Sequence, residues 1–119
     1  MKYVDGYVLA VPKKNLDAYL RMAKGASKVW RDHGALQYVE AVGDDLKVKW
    51  AVSFEKIMTV KKSETVIFAF IVYKSRKHRD QVNAKVMADP RLKKMMEKGP
   101  MPFDMKRMVM GGFKFLVEG

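Results

Sequence analysis

The chain has 119 residues, 49% of them hydrophobic, with no cysteine and a formal net charge of +11. That length suits one domain with one core, the apolar content excludes a disordered chain, and the lack of cysteine excludes disulfide bonds and thiolate chemistry. No apolar run is long enough for a membrane helix and the N-terminal residues do not resemble a signal peptide. We therefore expect a single cytoplasmic domain over residues 1–119, with no membrane partner.

The first part of the chain predicts a strand, a helix and a second strand. An apolar segment at 3–11 ends at Pro12, which lacks the amide donor that a strand ladder needs. Apolar side chains then recur at helical spacing from the candidate N-cap Asn15 to Gly34, a residue type that commonly ends helices. Residues 35–42 follow as the second strand.

Residues 46–64 are the least regular part of the sequence. Lys47 to Trp50 alternate polar and apolar side chains as a strand does, and residues 61–64 form a polar turn. We predict an insertion with partial strand character between the second and third strands.

The second part of the chain begins with the most apolar segment, Val66 to Tyr73. Its β-branched and aromatic residues predict a strand that is covered on both faces. Two helices are expected after it, from Ser75 to about Ala88 and from Pro90 to Lys98. A last strand over residues 108–117 contains a pair of glycines.

This order of elements predicts a ferredoxin-like βαββαβ sandwich of the α+β class, with its helices on one face of a four-stranded sheet. The third strand carries apolar side chains on both of its faces, so the sheet face without helices would also be apolar. The same face of a second copy is the simplest cover. We therefore expect a homodimer through the sheet face, which makes a dimeric α+β barrel.

Most catalytic signatures are absent from the sequence. The two histidines, His33 and His78, are far apart and have no metal-ligand spacing, and no glycine pattern typical of nucleotide binding occurs. We expect no metal and no cofactor.

One motif favours nucleic acid. Phe68 to Tyr73 matches the last six positions of the pattern on the third strand of RNA-recognition modules, which share this order of elements. With Tyr7 on the first strand and a basic chain, Phe68 and Phe70 would stack single-stranded bases. A module that binds single-stranded nucleic acid is therefore the alternative function.

Polar side chains within the apolar elements favour a small-molecule site instead. A carboxylate or an imidazole among phenols in an apolar pocket can accept a proton from an organic acid. The first hypothesis is a homodimeric protein that binds a small organic ligand, with cofactor-independent oxidoreductase or isomerase chemistry on an aromatic or enolic acid. The candidates are His33 or Glu40 as proton acceptor, Tyr7, Trp30 and Tyr38 as pocket walls, and Arg107 as the partner of the substrate's charge.

Each of these side chains also has a purely structural interpretation. Glu40 would be ion-paired or at a strand end, and His33 would interact with carbonyl groups at the end of its helix. A non-catalytic scaffold or stress protein is the third possibility. The residues alone leave open whether the chain is an enzyme.

Longer segments resemble the family catalogued as domain of unknown function 1428, the YbaA-like bacterial proteins. The resemblance covers nearly the whole chain. Its main segments are YVDGYVLAVP, KVWRDHGALQYVE, IVYKSRKHRDQVNAKVMADPR and MPFDMKRMVMGGF. The resemblance implies a ferredoxin-like dimeric α+β barrel, in which a ligand site would lie between the sheet and the helices. It does not indicate which activity, if any, the protein has. Ala41 stands where the family pattern has a cysteine, Met105 where it has a glycine and Met110 where it has an aromatic residue.

Overall fold

The computed structural model describes residues 1–119 and contains four strands and four helices. In chain order they are β1 (Tyr3–Pro12), α1 (Leu16–Asp32), β2 (Gln37–Val42), α2 (Phe54–Met58), β3 (Glu64–Tyr73), α3 (Arg76–Met87), α4 (Pro90–Glu97) and β4 (Val109–Lys114). Short 3-10 turns precede α1 at Lys13–Asn15 and β4 at Met105–Arg107.

The four strands form one antiparallel sheet in the order β2-β3-β1-β4. The two longest and most apolar strands, β1 and β3, lie in the centre, where burial on both sides favours such sequences. This order and the helices after β1 and β3 confirm the predicted ferredoxin-like α+β fold.

The register of the sheet decides which side chains share a face. Tyr7 lies opposite Ala69, which lies opposite Glu40, so these three residues form a row on the face that α1 and α3 cover. One position along, Val8, Phe68 and Ala41 form a row on the other face.

The helix-covered face holds the core. Tyr19, Ala23 and Val29 of α1 and Val82 and Val86 of α3 are buried against it. Tyr19 and Ala23 confirm the apolar stripe that the sequence predicts in α1, whereas Leu20, which helical spacing also placed on that stripe, is 51% exposed. Helix α4 lies against α1, and the Met95 side chain rests where a Cβ atom at Gly25 would stand.

The other sheet face is covered by neither α1, α3 nor α4. Here Phe68 is 47% exposed, and Val109 and Phe113 are each 59% exposed. The Phe113 ring lies over Gly6 and Gly111, which face each other across β1 and β4. We call this face of the sheet the open face.

The insertion between β2 and β3 differs from the prediction. Lys47 to Trp50 form no strand, and the regular element of the insertion is the helix α2. The Ser53 hydroxyl caps α2 by accepting from the Lys56 amide at 3.2 Å. The Phe54 ring lies 6.2 Å from the Phe68 ring and shields one edge of the open face.

The predicted helix ends are mostly confirmed. Ser75 accepts from the His78 amide and Asp89 from the Arg91 amide, which caps α3 and α4. Gly34 has a φ of 111°, the left-handed region that ends helices. Asn15 is the N-cap residue of α1, as predicted, but its side chain makes no cap bond and instead donates to the Pro102 carbonyl at 3.1 Å. None of the helices is long and apolar enough to cross a membrane.

Candidate functional site

Glu40 is the centre of a polar group on the helix-covered face. It lies on β2, where its side chain points from the sheet toward the helices. Its Oε2 accepts a hydrogen bond of 2.7 Å from the Tyr38 hydroxyl, and its Oε1 accepts from the Tyr19 hydroxyl. The carboxylate is therefore fixed by two phenols, one from its own strand and one from α1.

Local structure explains why these groups meet. Tyr38 and Glu40 are two positions apart on a strand, so their side chains leave the same face. Tyr19 lies on the buried stripe of α1, and its hydroxyl reaches the strand. Burial first, and then the charge and hydrogen bond of Glu40, raise the pKa values of Tyr19 and Tyr38, so both phenols stay protonated donors.

Tyr7 is the third phenol in this row. It lies across Ala69 from Glu40 in the same row of the sheet, and the charge of Glu40 acts on it. Burial, with the nearby charges of Asp5 and Glu40, raises the pKa of Tyr7 to about 12. No side-chain hydrogen bond holds its hydroxyl. The Tyr7 hydroxyl is therefore protonated and can donate a hydrogen bond to a ligand.

Trp30 forms a side wall of the group. Its ring centroid lies 6.1 Å from that of Tyr38. Its indole Nε1 donates to Asn83 Oδ1 at 3.2 Å, and the Tyr73 hydroxyl donates to the same oxygen at 3.2 Å. Asn83 thereby fixes the orientation of Trp30 relative to α3.

Asp5 is a second carboxyl group on this face, two positions from Tyr7 on β1, and unlike the half-buried Glu40 it is fully buried. Its Oδ1 accepts from Arg79 Nη1 at 2.7 Å, whereas its buried Oδ2 has no hydrogen-bond partner. Burial raises the pKa of Asp5 even though the charge of Arg79 acts in the opposite direction. The Arg79 guanidinium also lies 5.0 Å from the centre of the Tyr3 ring.

His33, predicted to be a possible proton acceptor, lies outside this group. Its Nε2 is 2.7 Å from Asp89 Oδ2, at the junction of α1 and α4. Hydrogen bonds from Arg91, and then from His33, hold the pKa of Asp89 well below its usual range. Asp89 also caps α4, so the contact between His33 and Asp89 connects the end of α1 to the start of α4.

Arg107, predicted to clamp an anion, is already paired. Its Nη1 and Nη2 donate to the two oxygens of Glu64 at 2.7 and 3.0 Å, and Nη2 also donates to the Thr59 carbonyl at 3.3 Å. Glu64 lies five positions from Ala69 along β3, which is about 16 Å at the usual strand rise. The structure therefore does not bring Arg107 to Glu40.

The register also changes the predicted aromatic platform for nucleic acid. Phe68 and Phe70 lie on the open face with ring centroids 6.2 Å apart. Tyr7 lies on the helix-covered face, so a base stacked on the two phenylalanines cannot touch it. The prediction that these three rings form one surface was wrong by one position of strand register.

The structure thus brings four of the six predicted site residues together: Glu40, Tyr38, Trp30 and Tyr7. Sequence reasoning missed Tyr19, because its place on the apolar stripe of α1 resembles that of a core residue. The group offers a carboxylate that can accept a proton and a phenol that can donate a hydrogen bond. No cluster of three or more His, Cys, Asp or Glu side chains is arranged to hold a metal.

Comparison with known proteins gives the family. Residues 2–105 match the family described as "Protein of unknown function (DUF1428)". The chain is 42% identical over 118 residues to "Uncharacterized protein YbaA" of Escherichia coli (strain K12) and of Shigella flexneri, with 99% of each chain covered.

A solved structure with a similar fold is that of a NIPSNAP family protein with unknown function from Agrobacterium tumefaciens. The TM-score is 0.61 at 13% identity, over 94% of this chain and 86% of that one, so the likeness concerns the fold alone. The match to the family model and the full-length identity to the YbaA proteins agree with the resemblance in the sequence segments. The chain belongs to the DUF1428 family of proteins of unknown function.

Proposed function

We propose that this protein is a homodimeric, cofactor-independent isomerase that moves a proton on a small aromatic or enolisable compound, with Glu40 as the proton acceptor. One observation carries the proposal. The Glu40 carboxylate is fixed by the Tyr19 and Tyr38 hydroxyls and lies across Ala69 from the Tyr7 hydroxyl, which no side-chain hydrogen bond holds.

The reaction follows from these two groups. Glu40 takes a proton from a carbon next to a carbonyl group, and the electron pair of that C–H bond forms an enolate. Tyr7 donates a hydrogen bond to the enolate oxygen, which lowers the cost of the developing charge. Glu40 then returns the proton to another carbon of the conjugated system, so that atoms and electrons balance without a cofactor.

The charges of the group favour a substrate that arrives neutral. Asp5 and Glu40 are both near Tyr7, and the nearest cation among its neighbours, Arg79, is paired with Asp5. Arg107 is paired with Glu64 in the same way. A carboxylate substrate would meet net negative charge here, whereas a ketone or a protonated enol would not. An oxidoreductase that passes the enolate electrons to dioxygen is the related alternative.

The homodimer is supported by the open face and by the insertion beside it. The insertion contacts the open face through Phe54 and also exposes apolar side chains, since Trp50 is 89% and Ile57 is 73% exposed. Monomeric soluble proteins rarely leave an apolar surface of this extent in water. A second copy would cover the face by the same residues, with its own insertion at the opposite edge.

The test uses 2-tetralone, a neutral aromatic ketone with acidic C–H bonds. We expect the protein to accelerate exchange of these hydrogens with deuterium from the solvent, measured by proton NMR. Glu40→Gln should lower the accelerated rate about 100-fold or more, in the range for general acid–base groups. Tyr7→Phe should also lower the rate because the hydrogen bond to the enolate is lost.

Two further variants make the result specific. Glu97→Gln changes an exposed glutamate of α4 and should leave the exchange rate unchanged. His33→Asn tests the other proton acceptor that the sequence analysis named, and its rate should stay within about twofold of wild type. Exchange at the buffer rate with wild-type protein, or full exchange with Glu40→Gln, would contradict the proposed chemistry.

The alternative function, binding of single-stranded nucleic acid, is favoured by one observation, the exposed Phe68 and the neighbouring Phe70 on the open face. Stacking on two rings tolerates any base. However, the strands place no lysine or arginine beside these rings on the open face, so contacts to the phosphates would have to come from the insertion. Salt-dependent binding of an oligonucleotide, lost in Phe68→Ala, would favour this function over the dimer.

A further inference from the structure

A cavity of about 320 Å³ lies between α1 and the loop that follows α4, away from Glu40. Met22 of α1, Met95 of α4 and Met101 of the loop line it, together with two prolines and Ala18. Its volume is at the lower end of the range for small-molecule sites. Methionine side chains adapt to flat or irregular apolar ligands.

The walls of this cavity are fixed by contacts within the chain. Met95 rests on the backbone of Gly25, where the absence of a Cβ atom lets α4 approach α1. The loop is held at Pro102 by the hydrogen bond from Asn15. One end of the cavity is therefore fixed by the contact between α1 and α4, and the other end is fixed by the hydrogen bond at the start of α1.

The charged lining is entirely positive. Arg21 of α1 and Lys98 at the end of α4 both line the cavity, and neither belongs to any ion pair of the chain. No acidic side chain lines it, although Asp17 and Glu97 lie next to lining residues in the sequence. Two cations without partners above an apolar lining complement a ligand with one anionic end and an apolar body.

We propose that this cavity is a second ligand site, which binds a small aryl carboxylate with its ring among Met22, Met95 and Met101 and its carboxylate between Arg21 and Lys98. The proposal is independent of the chemistry at Glu40, because the two sites share no lining residue and favour ligands of different charge, one anionic and one neutral. An aryl carboxylate suits this cavity, whereas the Glu40 group favours a neutral compound.

The test is a titration with 2-naphthoate of protein labelled with carbon-13 at its methionine methyl groups. We expect saturable chemical-shift changes at Met22, Met95 and Met101, and none at Met87 of α3 or Met110 of β4. The double variant Arg21→Gln/Lys98→Gln should bind about three- to tenfold more weakly, which corresponds to the loss of two exposed charge contacts. Ala18→Leu should weaken binding, because the larger side chain narrows the cavity.

The matched control is Lys24→Gln/Lys93→Gln, which removes the same charge from exposed positions of α1 and α4 that do not line the cavity. It should bind 2-naphthoate as the wild type does. Equal weakening in both double variants would overturn the proposal, since it would show attraction to a basic surface. No saturable shift, shifts that include Met110, or unweakened binding by Ala18→Leu would overturn it as well.

Discussion

The Glu64–Arg107 pair makes one defined contribution to the pH dependence of stability. Glu64 starts β3 and is nearly buried, and it accepts two hydrogen bonds from Arg107 and one from the Lys61 amide at 3.0 Å. These bonds, chiefly those from Arg107, lower the pKa of Glu64 from its usual 4.5 to about 2. The carboxylate thus binds its proton less tightly in the folded chain than in the unfolded chain.

The sign of the stability effect follows from linkage. Since the folded pKa is the lower one, the stabilisation is complete above about pH 4.5 and disappears as the pH falls toward 2. We expect the free energy of unfolding of the wild type to decrease over this interval. In Glu64→Gln this part of the decrease should be absent, because no proton binds there. Urea unfolding at a fixed protein concentration, followed by tryptophan fluorescence at several pH values, measures how the free energy of unfolding changes with pH in the wild type and in Glu64→Gln.

The exposed Glu97→Gln variant is the control for this measurement. It removes a carboxylate that forms no ion pair, so the slope between pH 4.5 and 2 should match that of the wild type. Identical slopes for Glu64→Gln and the wild type would show that the pair contributes no stability.

At the scale of single residues, sequence reasoning found Glu40 and Tyr38 because a charged side chain within an apolar strand is unusual. It could not place His33 or Arg107, because both are bound by carboxylates that come from distant parts of the chain, Asp89 and Glu64. Only the folded sheet and helices reveal those pairs. A charge at the end of an element therefore says little about its partner.

At the scale of elements, the glycine pair in β4 illustrates how strand parity separates two neighbouring residues. A Cβ atom at Gly112 would overlap the Tyr3 ring and hydroxyl, which lie across the strand on the helix-covered face. A Cβ atom at Gly111 would meet the Phe113 ring at 3.7 Å, an ordinary contact on the open face. The sequence indicated a close approach somewhere in the pair but not at which glycine.

This difference gives a matched pair of variants. Gly112→Ala should destabilise the protein by about 1–3 kcal/mol, because Tyr3 would have to leave its place between Gly112 and Arg79. Gly111→Ala should change stability by less than about 1 kcal/mol. Thermal unfolding of both variants at the same concentration checks the difference. Equal losses would mean that Tyr3 moves aside at little cost.

The insertion shows where the sequence pattern misleads at this scale. The alternation at Lys47 to Trp50 indicated a strand. However, β2 is a short strand at the edge of the sheet, and this segment does not pair with it. The better signal was Ser53 before Phe54 and Glu55, a typical start of a helix. Four alternating residues are too few to distinguish a strand from a loop when no partner strand is available.

At the scale of the whole molecule, the sheet and its helices form two layers with a thickness of 21 Å. The apolar segment Val66 to Tyr73 predicted both the central position of β3 and an apolar open face, since side chains alternate along a strand. The layers were therefore predictable from the sequence. What covers the open face was not predictable from the sequence, and Phe68, Val109 and Phe113 are exposed on it in this chain.

The last prediction concerns that surface. In the proposed homodimer Phe113 lies against the partner, so Phe113→Asp would place a charge in the apolar contact and should weaken association by about 2 kcal/mol or more, roughly 30-fold. Met87→Asp makes the same change at a side chain of α3 that is 66% exposed, far from the open face, and should not weaken it. Sedimentation equilibrium should give twice the chain mass of 13.7 kDa for the wild type and Met87→Asp, and a concentration-dependent lower mass for Phe113→Asp. A wild-type mass of one chain at every concentration would contradict the dimer. The rings of Phe68 and Phe70 would then favour nucleic acid as the ligand of the open face, because base stacking requires an aromatic surface that is accessible to solvent.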